Sequence, residues 1–428
     1  MEYNEYLKCK KPYQEVGHTF LLERKHACLF YKPGKGKTYP AVDAMRDIDA
    51  SKGGKARVLI LSTADAVNNM WLSEIEPQGI LPLNTVIMSF TKAIQDITKA
   101  TLLKLNWDII VIDECHKIKS HNAKISKLVH LLAKKTEYVW GLTGTPRGNN
   151  DVDIYCQFHN MYISEWGDIS YTNFVNICCD VEKRFFHGNC ITVPTGINHK
   201  YLAGWERNIA MYSQRIGYDE EDDMPELNEE VIKIPFTPSK EYIAAEDGVI
   251  NIPDHETTMT KLAAIQKLHQ LANGFLYISD EDKRDVYTVS HNYKHEWLKD
   301  NVLDKQIIVY RFMYDRQEIE KLLDEIGKTH TEIVEDFKSG NYNVLLLQCS
   351  RCESFNLQMC NRIIFYTLDY SFIKYDQMIH RVWRMGQKND VKIQILIAEH
   401  SVEESIWRAV KQKKELAELF MDIKGDIS

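Results

Sequence analysis

A short apolar run at residues 27–31 leads straight into Lys32-Pro33-Gly34-Lys35-Gly36-Lys37-Thr38, and a helical pattern follows through residue 50. This strand, turn and helix start constrain the fold more than any other stretch. Glycines let successive backbone N–H groups close around an anion at a helix N-terminus, where the dipole favours negative charge. Gly34, Lys35 and Gly36 then form the cradle, Lys37 reaches the phosphates, and the Thr38 hydroxyl is placed to hold Mg²⁺. The full form of the pattern opens on glycine, whereas Tyr31 stands there. A chain organised around such a turn is an α/β protein whose ligands gather at the carboxyl ends of parallel strands.

The other apolar runs fit that class. Residues 58–62, 85–88, 108–113 and 138–142 read as strands, separated by helical stretches such as 38–50 and 125–134. A second block repeats the rhythm with strands at 306–310, 343–347, 362–366 and 391–397. Each block therefore predicts a parallel sheet covered on both faces. Between them, over about 149–301, the strand rhythm fades and helical stretches such as 259–273 dominate, interrupted by an acidic run at 219–223 that reads as a solvated loop. The organisation expected is a first lobe at 1–148, a mostly helical insertion or bridging region at 149–301, and a second lobe with a C-terminal helix at 302–428.

Charge excludes one class of function. Lys and Arg number 53 against 61 Asp and Glu, a net charge of −8, so the chain does not coat nucleic acid by bulk positive charge, and any such binding needs a local basic cleft. The polar, acidic first residues lack the apolar core of a secretory signal, and the apolar runs are far shorter than the roughly 20 residues needed to span a bilayer. A cytoplasmic protein with reduced thiols among its ten cysteines is expected.

Chemistry recurs where the strands end. The run Ile109-Ile110-Val111-Ile112 closes on Asp113-Glu114-Cys115-His116. Paired carboxylates beside a phosphate loop divide the labour of nucleotide hydrolysis, with Asp113 on Mg²⁺ and Glu114 orienting the attacking water. Gly141-Leu142-Thr143-Gly144-Thr145-Pro146 follows another strand, with hydroxyls suited to coupling nucleotide state to a bound polymer. Near the C-terminus, the stretch from Gln377 to Gln387 spaces Arg381 and Arg384 three apart, on one face if helical, as arginine fingers or as a surface pair.

In order, these motifs resemble the superfamily 2 helicases, and among them the Swi/Snf-type DNA translocase ATPases. The resemblance runs from Pro12-Tyr13-Gln14 through the phosphate loop, Asp113-Glu114-Cys115-His116, Leu142-Thr143-Gly144-Thr145-Pro146 and Phe355-Asn356-Leu357-Gln358 to Arg384-Met385-Gly386-Gln387 and Val402-Glu403-Glu404-Ser405-Ile406. It implies two RecA-like lobes hydrolysing ATP at their interface and stepping along double-stranded DNA with little sequence preference, as a monomer. It implies an adenine-sensing Gln14, a nucleotide contact at Gln377, and arginine fingers at Arg381 and Arg384. DNA contacts are implied at Thr63 and Ser89, in segments similar to the family's motif Ia and the one after it, and at Thr143 and Asn356.

Two departures stand out. Residues 349–355 lack the glycines that usually precede Asn-Leu in this motif, and residues 326–343 are short for the family, so a missing strand is expected in the second lobe. The compact length points to a bacterial or phage form. Cys178, Cys179, His187 and Cys190 fall close together without the usual two-residue gap of a zinc site. Two other readings stay open: a strand-separating helicase on RNA or single-stranded DNA, and a nucleic-acid-binding regulator whose ATPase has decayed.

Overall fold

Strands that are apolar at nearly every position are buried on both faces, and the chain builds such a sheet twice. The computed structural model describes residues 2–146, 152–186, 189–217, 224–252, 255–258, 261–278, 285–289, 292–351, 357–384 and 386–412. These fall into two units, residues 1–222 and 223–428.

The first unit contains β1 (His26–Tyr31), β2 (Arg57–Ser62), β3 (Asn84–Ser89), β4 (Ile109–Asp113), β5 (Tyr138–Thr143), a hairpin of β6 (Cys179–Phe186) and β7 (Asn189–Ile197), and β8 (Ser213–Ile216). Its main sheet has the order β3-β2-β4-β5-β1-β8, with every pairing parallel. Alternate residues serve opposite faces. Cys28, Phe30, Leu59, Leu61, Ile110 and Ile112 enter one core, whereas Ala27, Leu29, Val58, Ile60, Ile109 and Val111 enter the other. Register aligns the strand ends: Phe30 lies beside Thr143, Asp113 beside Leu142, and Leu61 beside Ile112. Tyr31, Ser62, Ser89, Asp113 and Thr143 therefore share one edge of the sheet.

The second unit contains β9 (Leu227–Ile234), the hairpin β10 (Val249–Ile252) and β11 (His255–Thr258), the hairpin β12 (Phe275–Tyr277) and β13 (Val286–Thr288), then β14 (Gln306–Tyr310), β15 (His330–Thr331), β16 (Val344–Gln348), β17 (Arg362–Phe365) and β18 (Val391–Ala398). Its sheet runs β15-β16-β14-β17-β18-β9, again parallel throughout. Ile307, Val309, Leu345 and Ile363 pack on one face and Ile308, Tyr310, Leu346 and Ile364 on the other.

Two strands complete these sheets from within residues 149–301. That stretch carries strands as well as helices, and the division between units falls inside it. Its first part packs Phe158, Trp205 and Ile209 into the first unit, and its second part packs Ile265, Leu268 and Leu271 into the second. The second sheet also holds the two-residue β15 within the stretch expected to lack a strand, followed by the helix Val334–Lys338. Val334 and Phe337 of that helix are buried, so even a short segment gains enough apolar contact to hold a brief pairing with β16. Among the described residues, no helix is long and apolar enough to cross a membrane.

Candidate nucleotide-hydrolysis site

The phosphate loop lies between β1 and the helix Thr38–Ser51. Gly34 and Gly36 have φ of 87° and 69°, the left-handed region in which a side chain is strained. A Cβ at Gly36 would lie 2.5 Å from Gln14 Nε2. Gln14 is buried on the helix Pro12–Arg24 and donates to the carbonyls of Lys35, at 3.2 Å, and Gly36, at 3.4 Å. Tyr13 adds a third bond, its hydroxyl donating to Lys35 O at 3.2 Å. Lys35 is itself buried, its ammonium 5.3 Å from the centre of the Tyr13 ring. Gln14 and the loop are thus one hydrogen-bonded body.

Tyr31 explains the departure from the glycine pattern. It is the last residue of β1, and its backbone is still paired in the sheet beside Ile216 of β8. Its hydroxyl lies 3.0 Å from Tyr13 O and 2.5 Å from Gln214 Oε1, filling the space left by Gly17. Burial pushes this phenol far above its ordinary pKa. The cradle begins after Tyr31, so a strand residue at this place leaves Gly34 and Gly36 to make the turn.

Across the same edge, β4 delivers Asp113 and Glu114. Glu114 has φ 54° and ψ 50°, a left-handed conformation that turns the chain sharply after the strand. Its Oε1 is 3.6 Å from Lys37 Nζ, and its Oε2 is 3.3 Å from both Thr143 Oγ1 and His116 Nδ1. Thr143 Oγ1 also contacts His116 Nδ1 at 3.0 Å and accepts from Thr145 N–H at 3.2 Å. Thr143 is fully buried, with its hydroxyl directed at the carboxylate.

Asp113 is buried, and its two oxygens differ. Oδ2 accepts from Ser62 Oγ at 3.0 Å and from Trp71 Nε1 at 3.1 Å. Oδ1 is buried with no hydrogen-bond partner among the described residues. Burial, then the neighbouring Glu114 charge, push the Asp113 pKa above the ordinary carboxylate range, opposed by Lys37 and the two donors. A bare buried carboxylate oxygen beside the phosphate loop suits a hard cation, and the Thr38 hydroxyl, 4.0 Å from Met70 Sδ, fits a second ligand. These residues fit Mg²⁺. Ser62 and Trp71 lie in the segment that resembles motif Ia, which the resemblance assigns to DNA and not to the nucleotide site. The register of β2 beside β4 was the available signal for Ser62, whereas nothing local announces where an indole nine residues later will point.

Gln14, Gly34, Lys35, Gly36, Lys37, Thr38, Asp113, Glu114 and Thr143 are therefore brought together in the first unit. Thr63 follows the end of β2 and Ser89 is the last residue of β3, and each side chain caps a helical turn, accepting from Ala66 N–H at 3.2 Å and Lys92 N–H at 3.3 Å. Asn356 lies outside the described residues. Gln377 and Arg381 lie on the helix Phe372–Val382 of the second unit, Gln377 buried with its Oε1 lacking a hydrogen-bond partner among the described residues.

Arg384 lies beyond that helix, so the two arginines do not share one helical face. Trp383 ends the helix with ψ 92° and sends its indole N–H to Pro225 O at 2.7 Å. Gln387 then fixes the turn, donating to Gln358 O and Cys360 O at 2.9 and 2.8 Å. Of the four proposed soft ligands, His187 lies outside the described residues. Among those described, no group of three or more His, Cys, Asp or Glu is placed to hold a metal ion.

Two family models match in order: the SNF2-related domain over residues 81–178 and the Helicase conserved C-terminal domain over 279–386. The chain is 23% identical to the "Uncharacterized ATP-dependent helicase YqhH" of Bacillus subtilis, covering 94% of this chain and 77% of that protein. It is 21% identical to "Putative protein p41" of Acyrthosiphon pisum secondary endosymbiont phage 1, covering 96% and 98%. Larger eukaryotic relatives are spanned over 61% of their length or less. Among solved structures, the Sulfolobus solfataricus SWI2/SNF2 ATPase core in complex with dsDNA matches at 21% identity over 94% of this chain and 90% of that one, with a TM-score of 0.42. With both domain models matched in this order, the chain carries an SNF2-related domain followed by a helicase C-terminal domain and is similar to the Swi/Snf-type ATPases of helicase superfamily 2.

Proposed function

We propose that this protein is an ATP-dependent translocase on double-stranded DNA, coupling hydrolysis to movement along, or remodelling of, DNA and its protein complexes. The observation that carries this reading is the convergence of Lys37, Glu114 and Asp113 beside the loop that Gln14 grips. Lys37 binds the terminal phosphates, and Glu114 polarises the attacking water once nucleotide draws Lys37 away from it. Mg²⁺, held by Asp113 and Thr38, supplies charge neutralisation of the phosphate oxygens. Arg381 and Arg384 are assigned to stabilising charge on the transferring group, and Gln377 to a nucleotide contact. Thr63, Ser89 and Asn356 are assigned to backbone phosphates, and Thr143 to passing their engagement to Glu114.

Contacts to phosphates position a protein without reading sequence, so weak sequence preference is part of the proposal. A monomer working in the cytoplasm of a bacterial or phage-infected cell fits its bacterial and phage relatives. The test is steady-state ATP hydrolysis at fixed salt without polymer and with duplex DNA, single-stranded DNA or RNA, for the wild type and Lys37→Ala. Stimulation mainly by duplex, lost in the variant, is expected. Preference for RNA or a single strand assigns a strand-separating helicase instead, and polymer binding without any hydrolysis assigns a regulator.

A further inference from the structure

Asp113 is not simply buried; it is held from one side. Both donors reach the same oxygen, Oδ2, while Oδ1 is left bare within the protein. A carboxylate fixed in this way has one oxygen saturated and one presented. Ser62 supplies its hydroxyl from the end of β2, the strand beside β4. Trp71 supplies its indole N–H from an unusual element, the nine-residue π-helix Val67–Ile75. Such helices are rare, mostly single turns, and frequent at functional sites. An α-helical winding would turn the later residues to a different angle, so the wider winding helps to set where this indole points.

The ring of Trp71 is fully buried among apolar neighbours, which would be reason enough for a large side chain. Packing alone does not require an N–H group to be aimed at the Asp113 carboxylate. We propose that Trp71, together with Ser62, is a positioning residue that holds the Asp113 carboxylate with Oδ1 presented to the divalent cation. This rests on the nucleotide-site reading above. Partners that orient metal ligands in this manner commonly change metal affinity by roughly 10–100-fold when removed.

Trp71→Phe keeps an aromatic ring in the core but removes the N–H, and Ser62→Ala removes the other donor with little change of volume. Binding of a fluorescent ADP analogue is measured without metal and then across a Mg²⁺ titration, on the full chain. Both variants are expected to bind the metal-free nucleotide within about twofold of wild type and to need roughly tenfold or more Mg²⁺ for half-saturation. Adding Trp71→Phe to Asp113→Asn is expected to change the Mg²⁺ response no further, because the carboxylate it would orient is gone. If Trp71→Phe fails to fold, Ser62→Ala carries the test alone.

Wild-type Mg²⁺ half-saturation in the folded single variants would overturn the proposal. Equal losses with and without metal would also overturn it, assigning Trp71 to packing. A wild-type protein that binds the nucleotide but is indifferent to Mg²⁺ would overturn the cation reading of Asp113, and the positioning role with it. That outcome is distinguishable because it appears before any substitution is made.

Discussion

Gly36 joins two demands at one residue, a left-handed backbone and close approach of the Gln14 amide. Gly36→Ala meets both penalties, the conformation alone costing about 1–2 kcal/mol. A lower Tm with nucleotide affinity reduced by tenfold or more is expected from thermal melts and equilibrium binding. Asp315 carries a different tension. It is buried, with Oδ2 accepting from Thr367 Oγ1 at 2.6 Å and Oδ1 lacking a partner among the described residues, and burial lifts its pKa to about 7. A folded value above the unfolded one means that the native state binds more protons between them, so this residue's contribution to stability falls as pH rises from about 4 to about 7. Asp315→Asn is therefore expected to raise stability at pH 8, by roughly 1–3 kcal/mol, and to remove this component of the slope in denaturant melts across that pH range.

At the scale of elements, three helices of the second unit meet at one buried charge pair. Lys294 on the helix Tyr293–Asn301 places Nζ 2.6 Å from Glu403 Oε1 on the helix Val402–Lys411. Asn273, directly after the helix Lys261–Ala272, accepts from the same ammonium at 3.0 Å and donates to Glu403 at 3.2 Å. Burial disfavours the Glu403 charge, yet chiefly the Lys294 charge holds its pKa down to about 2. Lys294→Met leaves that carboxylate buried without its cation, a change that costs about 3–5 kcal/mol. The double variant with Glu403→Gln is expected to recover much of the loss, as a double-mutant cycle by chemical denaturation would measure.

These elements also mark what the sequence could disclose. The central strands of both sheets were legible because residues such as Ile109 to Ile112 are apolar without interruption. β8 and β9 were not, because edge strands need only one covered side. Ser213-Gln214-Arg215-Ile216 offers a single apolar residue, and Glu229 and Glu230 make β9 resemble an acidic loop. The charges that hid it are those that discourage pairing with another chain. In the site, glycines and paired carboxylates announced the cradle, since few residue types can do that work. The aim of Trp71 depends on a helical winding that no local pattern reveals.

For the whole molecule, the first unit holds every described strand of its sheet by residue 216. A fragment of residues 1–217 is expected to unfold cooperatively and to bind nucleotide. It should show no duplex-stimulated hydrolysis, because Arg381 and Arg384 are absent. Calorimetry and the ATPase assay check the two halves of that statement. The full chain's net charge of −8 leaves duplex binding to local phosphate contacts, so affinity is expected to fall linearly with salt on a double-logarithmic plot.

The second sheet closes by pairing β9 with β18, residues 227–234 against 391–398. On the ribosome these partners are far apart in time. At about 5–20 residues per second, β9 emerges roughly 8–30 seconds before the strand that covers its inner edge. The first sheet has the converse history, since β1 waits for β8 while most of the first unit is being made. Slow translation, or a shortage of chaperones that hold nascent chains, should therefore lower the yield of active protein through an incomplete sheet, even with every residue of the site intact.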